Sequence, residues 1–90
     1  MSHVVRNQSK LLARTRRIAG QLAAIEKALT EDAECTAILT QIAAVRGAVQ
    51  GLLLEVLGEH LREHIAEEAN STVRENEVTN VVSLLRSYLK

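Results

Sequence analysis

The sequence has no proline and only four glycines, the two residue types that most often interrupt helices. Alanine, leucine, glutamate and arginine, which are common in helices, recur along the chain instead. Ninety residues make one domain, and a domain of this size buries only about 60 to 65% of its unfolded surface. We therefore expect a single all-α domain over residues 1–90 that is stabilised by association with further copies of itself.

Aromatic residues and cysteine are almost missing as well. Tyr88 is the only aromatic residue, so the bases of single-stranded nucleic acid would find no aromatic platform on which to stack. Cys35 is the only cysteine and cannot form a disulfide within the chain, although in a reducing compartment it can serve as a metal ligand. Polar residues interrupt every apolar run before the roughly 20 positions that cross a bilayer. We expect a cytoplasmic protein without a membrane anchor.

The charged residues balance to a formal net charge of zero but are unevenly distributed. Residues 1–30 contain six basic residues and one acidic residue, whereas residues 31–90 contain five basic and ten acidic residues. This separation indicates a basic surface for a polyanion and an acidic remainder that repels it. A solvated helix face would leave the same pattern, so charge alone does not decide between the two.

Apolar residues recur at helical spacing in three segments. The first stripe consists of Leu11, Ile18, Leu22, Ile25 and Leu29. The second consists of Ile38, Ile42, Val45, Val49, Leu52 and Val56. It predicts a helix of roughly 33 residues that ends near His64, and Gly47 and Gly51 predict a small-residue face on it that another backbone could approach. A short third helix carries Val78, Val81, Val82, Leu85 and Leu89.

The helix boundaries follow from residues that can cap them. We expect the first two helices to form a hairpin that turns near residue 31. Thr30 or Asp32 is expected to cap the second helix by accepting hydrogen bonds from its free amides. Thr72 with Glu75 resembles a capping box at the start of the third helix.

His60 and His64 lie four residues apart on the second helix. Both imidazoles are therefore expected on one face, where they can bind a single metal ion. Histidines at this spacing are also common on ordinary helix surfaces, and several glutamates surround this pair. The pair by itself is a weak indication of a metal site.

Cys35 and His3 become relevant in a dimer. Cys35 precedes His60 by 25 residues, which is about 37 Å along a helix, so one chain cannot place both on the same ion. If two second helices pack antiparallel and cross near Val49, Cys35 of one chain lies beside His60 and His64 of the other. The hairpin brings His3 to that end too. We predict two metal sites per dimer, each formed by three histidines of one chain and Cys35 of the other.

Three imidazoles and one thiolate form a borderline-soft ligand set that suits zinc, nickel or cobalt. Copper(I) would prefer more sulfur. Donors from the amino terminus or its neighbouring backbone amides would favour the higher coordination numbers of nickel and cobalt over tetrahedral zinc. Spacing alone does not separate these metals.

A helix-turn-helix is not evident, because the first two helices are too long and the third has few basic residues. Lys10, Arg14 and Arg17 fall on one stripe of the first helix, with Arg16 beside it. Arg46 on the second helix could extend this patch across the hairpin. Arginine binds phosphate through paired hydrogen bonds, so an oligomer with several such patches would follow the backbone of double-stranded DNA.

Several stretches of the chain are distinctive. They are RTRRIAGQ at residues 14–21, Glu34-Cys35, QIAAVRGAVQG at 41–51, His60, and LRSYLK at 85–90. Together they resemble the CsoR/RcnR/FrmR family of bacterial repressors nearly from end to end. The resemblance implies a disc-shaped tetramer, a dimer of antiparallel three-helix dimers, that represses an exporter or detoxification operon until its effector binds. It also implies that Arg14, Arg17 and Arg46 contact operator DNA.

Within this family the residue types at the ligand positions differ according to the effector. Copper and persulfide sensors need a second cysteine, and formaldehyde sensors carry glutamate at the place of His64. The set of His3, Cys35, His60 and His64 is similar to that of the nickel and cobalt sensors. The resemblance therefore implies a repressor that nickel or cobalt releases from its operator, which derepresses an efflux gene, although several positions of the first helix look more like those of formaldehyde sensors.

Other functions remain open. Formaldehyde could join the Cys35 thiolate to the amine of Ser2 in an aldehyde-responsive repressor on the same scaffold. A zinc storage protein or a purely structural oligomer would use the same ligands without DNA. An enzyme is not expected, because Cys35 and His60 would lack an orienting group and a pocket-forming loop.

Overall fold

The computed structural model describes residues 7–89, which contain no strand. Helix α1 spans Gln8–Thr30, α2 spans Cys35–Leu61, a π-helical turn over Arg62–Ala66 continues α2, and α3 spans Ser71–Tyr88. The all-α, three-helix chain that the periodicity predicts is confirmed. The assignment of all 90 residues to one domain stays a prediction.

Helices α1 and α2 form an antiparallel hairpin joined by residues 31–34. Leu11 and Ile18 of α1 are buried, each 8% exposed, and Ile18 borders Ala48 of α2. Leu22 and Leu29 are 52% and 58% exposed. The hairpin turns where the sequence predicts, but α2 covers a narrower stripe of α1 than the apolar pattern indicates.

The capping of α2 differs from the prediction. Thr30 donates a hydrogen bond from its hydroxyl to the carbonyl oxygen of Glu26 at 2.9 Å, so it belongs to the last turn of α1. Asp32 lies in the left-handed region with φ of 54°. Glu34 precedes α2 and makes no side-chain capping hydrogen bond. The expectation that Thr30 or Asp32 caps α2 was wrong, because both residues complete the turn before the helix begins.

Asn70 caps helix α3. Its side-chain oxygen accepts hydrogen bonds from the backbone N–H groups of Thr72 at 2.9 Å and Val73 at 3.1 Å, two donors that the helix itself leaves free. The predicted capping box of Thr72 and Glu75 was wrong, because the helix already begins at Ser71.

Helix α3 turns back beside the C-terminal half of α2. Val81 is its buried residue, 6% exposed, and it borders an apolar groove with Leu53, Val56 and Leu57 of α2 and Tyr88 of α3. The two helices therefore leave an open apolar surface between them.

The described part of the chain is one helix thick. Its principal extents are 56 × 31 × 13 Å, and a helix with its side chains is about 10 to 12 Å across. Helix α2 has no buried residue. Its exposed large residues include a row at helical spacing, the α2 apolar stripe, which consists of Leu39, Ile42, Val49 and Leu53. A single chain therefore has only the small core described above and leaves this stripe exposed.

By length and composition alone, the segment Cys35–Ala66 could also cross a membrane. Arg46 and Glu55 lie inside it, and one charged residue near the centre of a membrane helix costs about 2.5 to 3.5 kcal/mol. Packing against another helix covers the apolar stripe without that cost.

We predict that the wild-type chain sediments as a dimer or a larger species at micromolar concentration. Val49→Lys should shift it towards smaller species, because it places a charge within the α2 apolar stripe. Ala23→Lys adds the same charge at an exposed position of α1 and should leave sedimentation unchanged. A stable wild-type monomer in sedimentation velocity would contradict this prediction.

Candidate functional site

Lys10, Arg14 and Arg17 lie at spacings of four and three along α1, and we call them the α1 basic stripe. The Lys10 side chain is 62% exposed and that of Arg14 is 39% exposed. Arg14 and Arg17 border a small pocket with Ala48 of α2, and Arg16 is exposed beside the stripe. The stripe therefore follows the junction of the two helices while its cationic groups remain accessible to a polyanion.

A carboxylate of α2 contacts this stripe. Glu55 Oε1 lies 2.6 Å from Lys10 Nζ, and its Oε2 lies 3.5 Å from Arg14 Nη2. The hydrogen bond from Lys10, with the charges of Lys10 and Arg14, outweighs desolvation and holds the pKa of Glu55 below its ordinary value. Sequence reasoning missed Glu55, although an isolated glutamate in the apolar second helix could have drawn attention to it.

Gly51 provides space for Arg14. A Cβ atom added at Gly51 would lie 3.0 Å from Arg14 Nη1, whereas one at Gly47 would meet nothing described within 4 Å. The close neighbour of Gly51 within the chain is thus a side chain, and the approach of another backbone to this face stays a prediction. Gly51 precedes Glu55 by one helical turn, so the two residues together form the surface on which the Arg14 guanidinium lies.

Arg46 lies on a different face of α2. It follows Ile42 by four residues and precedes Val49 by three, so it shares the face of the α2 apolar stripe, and it is exposed. Ala48 and Gly51, which border Arg14, are on another face of the helix. A patch that joins Arg46 to the α1 basic stripe would therefore need a second chain.

His60 and His64 lie side by side at the C-terminal end of α2. Their ring centroids are 4.6 Å apart and the ring planes are tilted by 42°. His60 belongs to the last turn of α2, and His64 belongs to the π-helical turn that follows. Two imidazoles at this separation can bind one transition-metal ion after small side-chain rotations.

Glu77 of α3 contacts this pair. Its Oε2 lies 3.0 Å from His60 Nε2, and both side chains are partly exposed. Carboxylates that hydrogen-bond to the second ring nitrogen of a histidine orient the ring for a metal on the other nitrogen. Sequence reasoning missed Glu77, because the contact depends on how α3 returns along α2.

Cys35 lies at the opposite end of α2. It is exposed, and it is the first residue of a helix that reaches Leu61, so about 37 Å of helix separates it from His60. Within residues 7–89, no three histidine, cysteine, aspartate or glutamate side chains come together as a metal site. His3, the remaining predicted ligand, lies outside the described residues. Completing a site that includes Cys35 therefore requires a second chain.

The chain matches known proteins over most of its length. A family model described as "Metal-sensitive transcriptional repressor" matches residues 7–87. An uncharacterized protein in the bioA 5' region of Serratia marcescens is 54% identical over 91 residues, and the transcriptional repressor RcnR of Salmonella paratyphi B is 48% identical over 90 residues. Both alignments cover 100% of each chain.

A solved structure also matches. It is a glutamate-to-histidine variant of the formaldehyde-responsive regulator FrmR from Salmonella enterica serovar Typhimurium, with a TM-score of 0.81 and 42% identity. The alignment covers 92% of this chain and 94% of that chain. Such proteins regulate transcription and are not enzymes. The chain belongs to the CsoR/RcnR family of metal-sensitive transcriptional repressors.

Proposed function

We propose that the chain represses an efflux gene by binding operator DNA in its metal-free state, and that nickel or cobalt releases it. One observation carries this proposal: the paired histidines and the α1 basic stripe lie at the same end of the hairpin. Lys10 contacts Glu55, and His60 follows Glu55 by five residues, which is about 7.5 Å along α2. A change at the histidine pair is therefore close to cations that can bind phosphate.

The available donors fit nickel or cobalt. His60 and His64 would hold the ion with Cys35 of a second chain and with His3, a set of imidazole nitrogens and one thiolate that also accepts zinc. Relatives named RcnR, at 48% identity, support assignment to the nickel and cobalt branch that the ligand residues resemble. The bound ion would link the C-terminal end of α2 in one chain, which carries the histidines, to the N-terminal end of α2 in another, which carries Cys35.

The α1 basic stripe, with Arg16 beside it, would bind phosphates of double-stranded DNA, and Arg46 would join from a second chain. Phosphate contacts supply affinity and position the protein, whereas they read no sequence directly. Copies arranged as a dimer of dimers would repeat these patches along the duplex. A repressor of this kind works in the cytoplasm, where the thiol of Cys35 stays reduced.

A formaldehyde-responsive repressor is the second candidate, favoured by the likeness to FrmR. Formaldehyde would link the Cys35 sulfur to an N-terminal amine through one methylene group, with loss of water. The exposed thiol of Cys35 is accessible to such a reaction.

Fluorescence anisotropy of a labelled operator fragment, taken upstream of the efflux gene, tests the proposal. Nickel or cobalt should weaken wild-type binding by about 5- to 150-fold, a usual range for coupled sites. His64→Ala should bind the metal-free operator like wild type and respond much less to metal. If formaldehyde alone lowers the affinity, the second candidate is correct. If zinc binds but no duplex does, the chain is a storage or structural oligomer.

Glu77→Gln should lower nickel or cobalt affinity by about 10- to 100-fold, because His60 loses the carboxylate that orients it. Glu75→Gln, an exposed position on the same helix, should bind metal like wild type. Competition with a coloured chelator measures both. Tighter binding by Glu77→Gln would mean that Glu77 competes with the metal for His60.

Mixing two defective variants tests whether the site is shared. Cys35→Ala chains exchanged with His60→Ala/His64→Ala chains should recover about one quarter of the wild-type sites, since half of the dimers are mixed and each has one intact site. Equilibrium dialysis with nickel counts these sites. Cys35→Ala chains mixed with chains that carry all three substitutions are the control and should recover none. An unchanged count in the first mixture would refute the antiparallel arrangement.

A further inference from the structure

Two of the cations proposed to bind DNA already contact an anion of their own chain. Glu55 places one carboxylate oxygen on Lys10 at 2.6 Å and the other near Arg14 at 3.5 Å. Carboxylate and phosphate oxygens accept hydrogen bonds from the same lysine and arginine donors. The contacts that Glu55 makes are thus the contacts that a DNA phosphate would need.

The surroundings of Glu55 favour this arrangement over an ordinary surface ion pair. The Glu55 side chain is only 19% exposed, whereas that of Lys10 is 62% exposed, so the carboxylate is less accessible to solvent than the lysine that it contacts. Gly51 leaves room for the Arg14 guanidinium against α2. The ion pairs with Glu55 therefore hold Lys10 and Arg14 of α1 against α2 in the free protein.

We propose that Glu55 is an intramolecular substitute for a DNA phosphate. Its carboxylate occupies Lys10 and Arg14 until a phosphate of the duplex displaces it. This inference rests on the proposed DNA binding. A phosphate that reaches Lys10 also comes within a few ångströms of the carboxylate, and the two anions repel each other. Glu55 thereby lowers the phosphate-dependent affinity for any duplex, and it limits how strongly the repressor holds DNA that lacks its operator.

Glu55→Gln removes the negative charge and keeps the side-chain size. Glu59→Gln is the matched control, because Glu59 lies one turn further along α2, is 22% exposed and pairs with Arg62 outside the α1 basic stripe. Both changes alter the net charge by one unit, so their difference reports the local contact. Circular dichroism checks that the variants keep their helix content.

Anisotropy with random-sequence duplex, without metal and over a range of salt concentrations, measures the effect. Glu55→Gln should bind about three to ten times more tightly than Glu59→Gln at low salt, and its salt slope should be steeper by about one unit for each additional phosphate that the released cations neutralise. In a Lys10→Gln/Arg14→Gln background, Glu55→Gln should lose its advantage, because the ion pairs that it removes no longer exist.

Equal binding by Glu55→Gln and Glu59→Gln would overturn the inference. Weaker binding by Glu55→Gln would also overturn it, because Glu55 would then be a residue that positions the cations for DNA. A wild-type protein that binds no duplex would refute the proposed function. A heparin column then still tests Glu55, since Glu55→Gln should elute at higher salt than Glu59→Gln and equal elution would reject the inference.

Discussion

Residues 7–89 are one helix thick and leave many large apolar side chains exposed, and the rest of the structure depends on this constraint. Helix α2 has no buried residue, and its apolar stripe is exposed on a face that α1 does not cover. We therefore expect a second chain to cover this stripe. The same association would bring Cys35 of one chain to the histidine pair of another, as the proposed metal site requires.

Helix α2 also connects the two proposed binding events. It carries His60 at its C-terminal end and Glu55 slightly earlier, and Glu55 contacts the α1 basic stripe. A rigid helix transmits a displacement at one end to the contacts along its length. A ligand at the histidines would therefore act close to the cations that we propose bind phosphate, and linkage would require DNA to oppose ligand binding to the same degree.

The fold was predictable from the sequence wherever it depends on local periodicity. Residues three or four positions apart share a helix face whatever the tertiary structure, so three helices and the hairpin turn followed directly. The helix caps could not be predicted in this way. Thr30, Asp32, Asn70 and Thr72 are all suitable capping residues, and the choice among them depends on where packing ends each helix, which the local sequence does not specify.

The sequence by itself determined that His60 and His64 would be neighbours and that the basic residues of α1 would form a stripe, because both groupings lie within one helix. Only the tertiary structure decided that Glu55 meets Lys10 across the hairpin and that Glu77 meets His60 across the return of α3. These partners are 45 and 17 residues apart in the chain. Their contact depends on the register between packed helices, and several registers are compatible with the same apolar pattern until side chains interlock.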